Sequence, residues 1–268
     1  MHTLLTGLTF GESPRWHDGR LWLADWGQRQ ILAVDADGAS AVVASPPTAP
    51  CCIDWTTDGR LLVVSGGEAK LLVQQADGTL ATYADLAGVT TKPWNEVTVD
   101  PTGNAYVNSI NFDFPGGEFE PGLIVLVRPD GTVEPVADGL AFPNGMVITD
   151  GGRTLVVAES YAARLTAFTI APDGRLTDRR VWADLSEEAA PDGICVDPST
   201  DGVIWYGDVP NRCAIRVAEG GTTLRRVDFD LGCFACATDG TTLYAVLGDY
   251  TDPEMFMKRT GMVMALPV

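Results

Sequence analysis

Histidine occurs twice in 268 residues, at positions 2 and 17. That scarcity excludes a zinc or iron centre built on imidazoles. A Ser/His/Asp relay would have to draw on a histidine at the chain terminus or on one beside an Asp-Gly turn, and the Gly-x-Ser-x-Gly motif is absent. Cysteine is sparse as well. The six cysteines at 51, 52, 195, 213, 233 and 236 are too dilute for a disulfide scaffold and fit a reducing compartment. Cys233-Phe-Ala-Cys236 is a lone CxxC in an apolar run, so these thiols are expected to be buried small hydrophobes. Basic residues are outnumbered, 18 against 36 acidic, for a net charge of −18. Such a surface repels phosphate backbones and anionic lipid, which argues against nucleic acid and membrane as partners. No basic stretch followed by an apolar run marks the first ten residues, and no apolar run nears the roughly 18 residues that span a bilayer. A cytoplasmic location is expected. Helical periodicity is nearly absent, and Gly116-Gly117 opens no strand-to-helix pattern that could cradle a phosphate.

What is abundant is a repeat. With 46% hydrophobic residues the chain has ample material for a core, and its apolar runs recur around Asp/Gly turns with a period of roughly 40 to 50 residues. The copies begin at Ser13, Ile53, Val97, Met146, Ile194 and Ala235, as in Ile53-Asp-Trp-Thr-Thr-Asp-Gly-Arg-Leu-Leu-Val-Val. A second hairpin follows, as in Ile124-Val-Leu-Val-Arg-Pro-Asp-Gly. Two hairpins make four strands, and six such units predict an all-β, six-bladed β-propeller of four-stranded antiparallel blades. Thr3-Leu-Leu-Thr-Gly-Leu is placed to close the ring by adding a strand to the last blade beside Gly261-Met-Val-Met-Ala-Leu. No composition break divides residues 1–268, so one domain is expected.

In a propeller the innermost strand of each blade starts at the rim of a central channel, where polar residues from different blades converge. Those positions hold Glu12, Asn95, Asn144 and Asp192 in blades one, three, four and five, and Cys52 and Cys233 in the other two. Two carboxylates and two amide carbonyls are an oxygen set for a hard divalent cation. The Asn-Gly and Asp-Gly pairs at 144 and 192 are open to an ordinary turn reading. They differ from the turn pairs at Asp18, Asp58, Asp77 and Asp130 in preceding an apolar run and following a proline.

Gly11-Glu12-Ser13-Pro14, Asn95 before Val-Thr-Val-Asp-Pro, Phe142-Pro143-Asn144-Gly145 and Pro191-Asp192-Gly193-Ile194 together resemble the SMP-30/gluconolactonase-like, or regucalcin-like, family of propellers, with diisopropylfluorophosphatase as a distant relative. The resemblance runs over nearly the whole chain. It implies that Glu12, Asn95, Asn144 and Asp192 ligate one divalent metal, Ca²⁺ first, with Mg²⁺, Mn²⁺ or Zn²⁺ also admitted. It further implies that Asp192 handles a proton, and that Glu118 contacts substrate. Glu96 and Trp94, beside Asn95, are further candidates for substrate contact. The family's sugar lactonases carry an arginine two residues before the Asn95 position and an aspartate after it, where this chain has Pro93 and Glu96; Lys92 does not reproduce a guanidinium fork.

The expected activity is metal-dependent hydrolysis of a small lactone by a monomer or weak homo-oligomer, with the metal polarising the carbonyl and acidifying water. Two alternatives stand beside it: a phosphotriesterase-like hydrolase on the same site, and a non-catalytic propeller that binds metal or a protein partner.

Overall fold

The computed structural model describes residues 1–268 and consists of 24 strands with one 3₁₀ turn at Gly66–Glu68. Strand β1 (His2–Leu8) precedes the first blade, which comprises β2 (Gly11–His17), β3 (Arg20–Asp25), β4 (Gln30–Val34) and β5 (Ser40–Ala44). Blade two is β6 (Ile53–Trp55), β7 (Leu61–Ser65), β8 (Lys70–Gln74) and β9 (Leu80–Asp85); blade three is β10 (Trp94–Val99), β11 (Ala105–Ser109), β12 (Gly122–Val127) and β13 (Val133–Leu140). Blade four is β14 (Pro143–Thr149), β15 (Thr154–Glu159), β16 (Arg164–Ile170) and β17 (Leu176–Asp184); blade five is β18 (Pro191–Val196), β19 (Val203–Asp208), β20 (Cys213–Ala218) and β21 (Thr223–Asp228). Blade six joins β22 (Gly232–Thr238), β23 (Thr242–Gly248) and β24 (Gly261–Pro267) to β1.

Each blade is an antiparallel meander, and the fold is the expected six-bladed propeller. The inner strands β2, β6, β10, β14, β18 and β22 pack in that cyclic order around the channel. Closure comes from β1, which pairs antiparallel with β24, His2 opposite Ala265 and Leu8 opposite Gly261. The two ends of the chain thus share one sheet, which latches the ring shut.

Burial explains why the strands read as apolar runs and not as strict alternations. Six apolar clusters lie between successive blades, one per interface around the ring. A middle strand is therefore covered on both faces: all five residues of β7 and of β11 are buried. Outer strands such as β21 alternate between exposed and half-buried residues because only one face meets a neighbour.

The hairpin turns use Asp-Gly as expected, with the glycines in the left-handed region at φ +75° for Gly19, +82° for Gly59, +85° for Gly78 and +83° for Gly131. Gly145 and Gly193 do not have positive φ and lie inside β14 and β18. A Cβ at Gly145 would stand 2.5 Å from the Ile194 nitrogen and 2.6 Å from the Asp192 carbonyl oxygen. Glycine is needed there for the close approach of two inner strands, which settles against the turn reading for both pairs.

Candidate metal centre

Every one of the four expected ligands sits in an irregularity of its inner strand. The ladder slips between Glu12 and Arg15 in β2, between Trp94 and Val97 in β10, between Pro143 and Met146 in β14, and between Pro191 and Ile194 in β18. A bulge frees one residue from pairing and re-aims its side chain. The slip recurs in blade six between Cys233 and Ala235, and in the other four blades it falls at Glu12, Asn95, Asn144 and Asp192. Ser13, directly after Glu12, adopts φ +49°, a left-handed conformation that serine rarely takes.

Contacts across blades show the convergence. Asn95 Nδ2 donates to Asn144 Oδ1 at 3.3 Å, and Asn144 Nδ2 donates to Ser160 Oγ at 3.4 Å. Ser160 Oγ in turn donates to the Pro191 carbonyl at 2.7 Å, tying the Asn144 neighbourhood to the residue before Asp192. Glu12 and Asp192 are 6% and 8% exposed, and Asp192 Oδ1 is buried with no hydrogen-bond partner. Burial pushes both carboxyls well up; the Asp192 and Glu96 charges push Glu12 further, and those of Glu96 and Asp208 do the same for Asp192.

A dry pair of acids, one with an orphaned oxygen, asks for a cation. No three His, Cys, Asp or Glu side chains cluster as a metal cage would require, so the carboxamides must complete any set, as they do for hard ions. Cys52 and Cys233 hold the equivalent positions in blades two and six, with Cys52 Sγ 3.8 Å from Asn95 Oδ1. Burial holds both thiols well above their ordinary value, which leaves them neutral and unsuited to act as soft thiolate ligands. The donor set therefore fits a hard divalent cation.

The expected substrate residues are placed differently from one another. Trp94 is fully buried in the cluster between blades two and three. Glu96 is 4% exposed; its Oε1 accepts from Arg15 Nη2 at 2.9 Å, from Ser13 Oγ at 3.3 Å and from its neighbour Val97 N at 2.9 Å. This cross-link lies beside the candidate ligands, since the Glu96 charge acts on both Glu12 and Asp192. Beyond it, at the opposite end, opens a cavity of about 220 Å³ lined by Arg15, Asp54, Thr98, Ile148 and Thr238 among others. Glu118 is exposed on the loop between β11 and β12 and makes no side-chain hydrogen bond.

The sequence reading passed over a second recurring device. Asp25, Glu159 and Asp208 each end the second strand of a blade, and each is buried. Asp25 accepts backbone N–H groups from Thr9 (2.9 Å) and Phe10 (3.1 Å), Glu159 from Ala141 (2.7 Å), and Asp208 from Ala190 (3.4 Å). In every case the anchored residue lies two or three positions before a ligand, Glu12, Asn144 or Asp192. Asn108 adds a further hold, donating from Nδ2 to the Asn144 carbonyl at 2.6 Å. The signal was present: an acid closes the apolar run in Leu-Trp-Leu-Ala-Asp25, Leu-Val-Val-Ala-Glu159 and Ile-Trp-Tyr-Gly-Asp208.

Comparison with known proteins agrees with the fold. Among curated proteins, a pentonolactonase of Haloferax volcanii is 28% identical over 137 residues, 50% of this chain and 45% of that protein. Serum paraoxonase/arylesterase 1 of Rattus norvegicus is 36% identical over 88 residues, 33% of this chain and 23% of that protein. The chain thus spans less than half the length of the curated relatives it matches. Among solved structures, XC5397 of Xanthomonas campestris, described as a gluconolactonase, superposes with a TM-score of 0.78 at 22% identity, covering 99% of this chain and 89% of that one. A regucalcin of Agrobacterium tumefaciens, described as calcium-binding, gives 0.79 at 18% identity, with 98% and 92% covered. Likeness at these identities shows the shared propeller. Residues 10–246 match the SMP-30/Gluconolactonase/LRE-like region, and the chain belongs to that family.

Proposed function

We propose that this protein is a divalent-metal-dependent hydrolase that opens the ring of a small lactone, with Ca²⁺ the ion its donors suit best. The observation that carries the reading is the set of four oxygen-bearing side chains, each in a bulge of a different inner strand, around a buried Asp192 oxygen without a partner. The pentonolactonase and gluconolactonase among its relatives support the choice of lactone.

Glu12, Asn95, Asn144 and Asp192 would hold the ion. Bound there, a divalent cation supplies Lewis-acid polarisation to a carbonyl and makes water more acidic. The chain's own part is to fix the donors, keep water ordered and accept a proton. Asp192 is the acceptor in this reading, through the carboxylate oxygen that is not engaged with the ion. As water oxygen joins the acyl carbon, its proton passes to Asp192. The ring C–O bond breaks, the departing oxygen takes that proton from Asp192, and a hydroxy acid leaves.

Proton release from a panel of aldonolactones, aliphatic lactones and one phosphotriester tests the reading, with Ca²⁺, Mg²⁺, Mn²⁺ or Zn²⁺ added, with chelator, and in Asp192→Asn. Lactone opening that needs metal and falls at least about a hundredfold in the variant is expected, on the scale of lost general-base catalysis. Activity that survives chelation, or is unchanged in the variant, sinks the mechanism; turnover of the phosphotriester alone replaces the substrate.

A further inference from the structure

The end of the channel that holds the ligands is flanked by two aromatic walls. One consists of Phe112, Phe114, Phe119, Phe142 and Tyr161 on blades three and four. Its members are in mutual contact, with centroids 4.6 Å apart for Phe142–Tyr161 and 5.2 Å for Phe114–Phe142. The other consists of Phe10, Trp26, Phe234 and Phe256 on blades one and six, with Phe10 at 5.1 Å from Trp26 and 4.7 Å from each phenylalanine. In a ring of six blades the seam between three and four lies opposite the seam between six and one. Phe10 and Phe142 each stand two residues before a ligand, Glu12 and Asn144, so both walls rise from the rim of the proposed centre.

These walls are not sealed as a core would be. Phe114, Phe119 and Tyr161 are 55%, 46% and 56% exposed, and Phe256 is 47% exposed. Exposed aromatic rings gathered beside a dry polar centre mark a surface for an apolar ligand. Of the polar groups nearby, the cations and Gln28 have partners within the protein, while Glu118 is an acceptor without one. Lys92 Nζ is bound to Asp113 at 2.7 Å, Lys258 to Asp252 at 2.7 Å, Gln28 Nε2 to Thr9 Oγ1 at 2.9 Å, and Arg164 Nε to Glu159 at 2.9 Å. The rim offers flat apolar faces, and its cations are held in ion pairs.

Resting on the lactone reading above, we infer that the substrates are lactones whose ring bears an alkyl chain. The chain would lie along an aromatic wall while the ring carbonyl faces Asp192; polyhydroxylated lactones are poor substrates. Phe114 and Tyr161 are specificity-determining through contact with the chain, and they take no part in bond making.

Alkyl δ-lactones of increasing length test this because the reacting ring and leaving oxygen stay the same. With the Ca²⁺-loaded protein, kcat/KM is expected to rise at least tenfold from δ-hexalactone to δ-decalactone and to be lower still for δ-gluconolactone. In Phe114→Ala and Tyr161→Ala, whose exposed side chains can be cut without opening the core, the δ-decalactone value should fall more than the δ-hexalactone value, through KM. Saturation-transfer NMR with the matching alkyl lactam, which resists hydrolysis, supplies a readout independent of turnover. A flat or falling length series overturns the inference and leaves lactone hydrolysis standing. Lactam binding through the alkyl chain with no lactone hydrolysed under any metal keeps the apolar wall and removes the lactonase reading. An alkyl lactam that binds no better than its methyl analogue, with no hydrolysis, overturns both.

Discussion

Asn95 and Asn144, on inner strands of neighbouring blades, meet through their carboxamides, with Asn95 Nδ2 donating to Asn144 Oδ1 at 3.3 Å. The contact joins two of the four proposed donors and spends little energy in doing so, because a long neutral hydrogen bond of this kind is worth roughly 1 kcal/mol or less.

That weakness makes Asn144→Ala informative. Without metal the variant should unfold close to wild type, since the Asn95 and Ser160 bonds lost are long and the remaining one is a weak donation to Asp192. With Ca²⁺ the wild type should show a dose-dependent rise in Tm, as any ligand specific for the folded state produces. The variant should need at least about tenfold more Ca²⁺ for the same rise, equivalent to about 1.4 kcal/mol. Calorimetric titration of chelator-treated protein checks it; equal affinities would remove Asn144 from the donor set.

Glu159 leads to a pH prediction. Its side chain is fully buried and accepts from Arg164, from the Ala141 N–H, from Thr166 and from Arg179. Burial alone would raise its pKa, but the donors, Arg164 foremost, outweigh it and hold the carboxyl below its ordinary value. A depressed folded pKa contributes stability that is present above the unfolded value, about 4.3, and lost as pH falls through the folded one. Glu159→Gln should therefore be less stable than wild type by about 1.5–3 kcal/mol at pH 7, with the gap closing below about pH 4.3. Urea midpoints across that range measure it. Because Glu159 also anchors the loop before Asn144, Ca²⁺ affinity should drop by about 10- to 100-fold, as for other groups that orient a ligand.

Much of this architecture was legible in the chain. Six Asp/Gly-punctuated repeats gave the blades because each strand must be apolar on both faces to sit between neighbours, and Thr3 to Leu8 were readable as the closing strand. The candidate ligands stood out through register, each preceding an apolar run. Which way Glu96 and Trp94 point was not. Strict alternation would set their orientation from that of Asn95, but the bulge between Trp94 and Val97 breaks the alternation. Glu96 instead meets Arg15, whose own strand is bulged between Glu12 and Arg15. Pairings between bulged strands of different blades leave no local pattern. The anchoring acids Asp25, Glu159 and Asp208 did leave one, visible once the ends of the second strands are aligned.

Arg15 and Glu96 pair with side chains 19% and 5% exposed, and Arg15 also lines the cavity. Removing Arg15 would leave Glu96 among Glu12 and Asp192 without its counter-charge. Arg15→Ala should cost about 3–5 kcal/mol, the usual penalty for an uncompensated buried charge. Adding Glu96→Gln to that variant should recover part of the loss, since the orphaned charge is then gone. A double-mutant cycle in urea decides it. If the second change deepens the loss, the pair is not the electrostatic unit described here.

Gly145 tests whether the centre depends on how closely blades four and five approach. A Cβ there would fall 2.5 Å from the Ile194 nitrogen and 2.6 Å from the Asp192 carbonyl oxygen, both main-chain atoms of the next inner strand. No flexible side chain can yield, so the two strands must part by several tenths of an ångström. Overpacking of this kind costs roughly 1–3 kcal/mol, and the displaced segment carries Asp192 itself. Gly145→Ala should accordingly lose Ca²⁺ affinity in greater proportion than stability. Gly78→Ala serves as the control: its site has open space around it, and its turn is strained only through φ +85°. That variant should lose stability while keeping its affinity for Ca²⁺. If Gly145→Ala bound the ion as tightly as wild type, the close contact of these strands would be a matter of folding alone, and the position of Asp192 would have to be fixed by its Asp208-anchored loop.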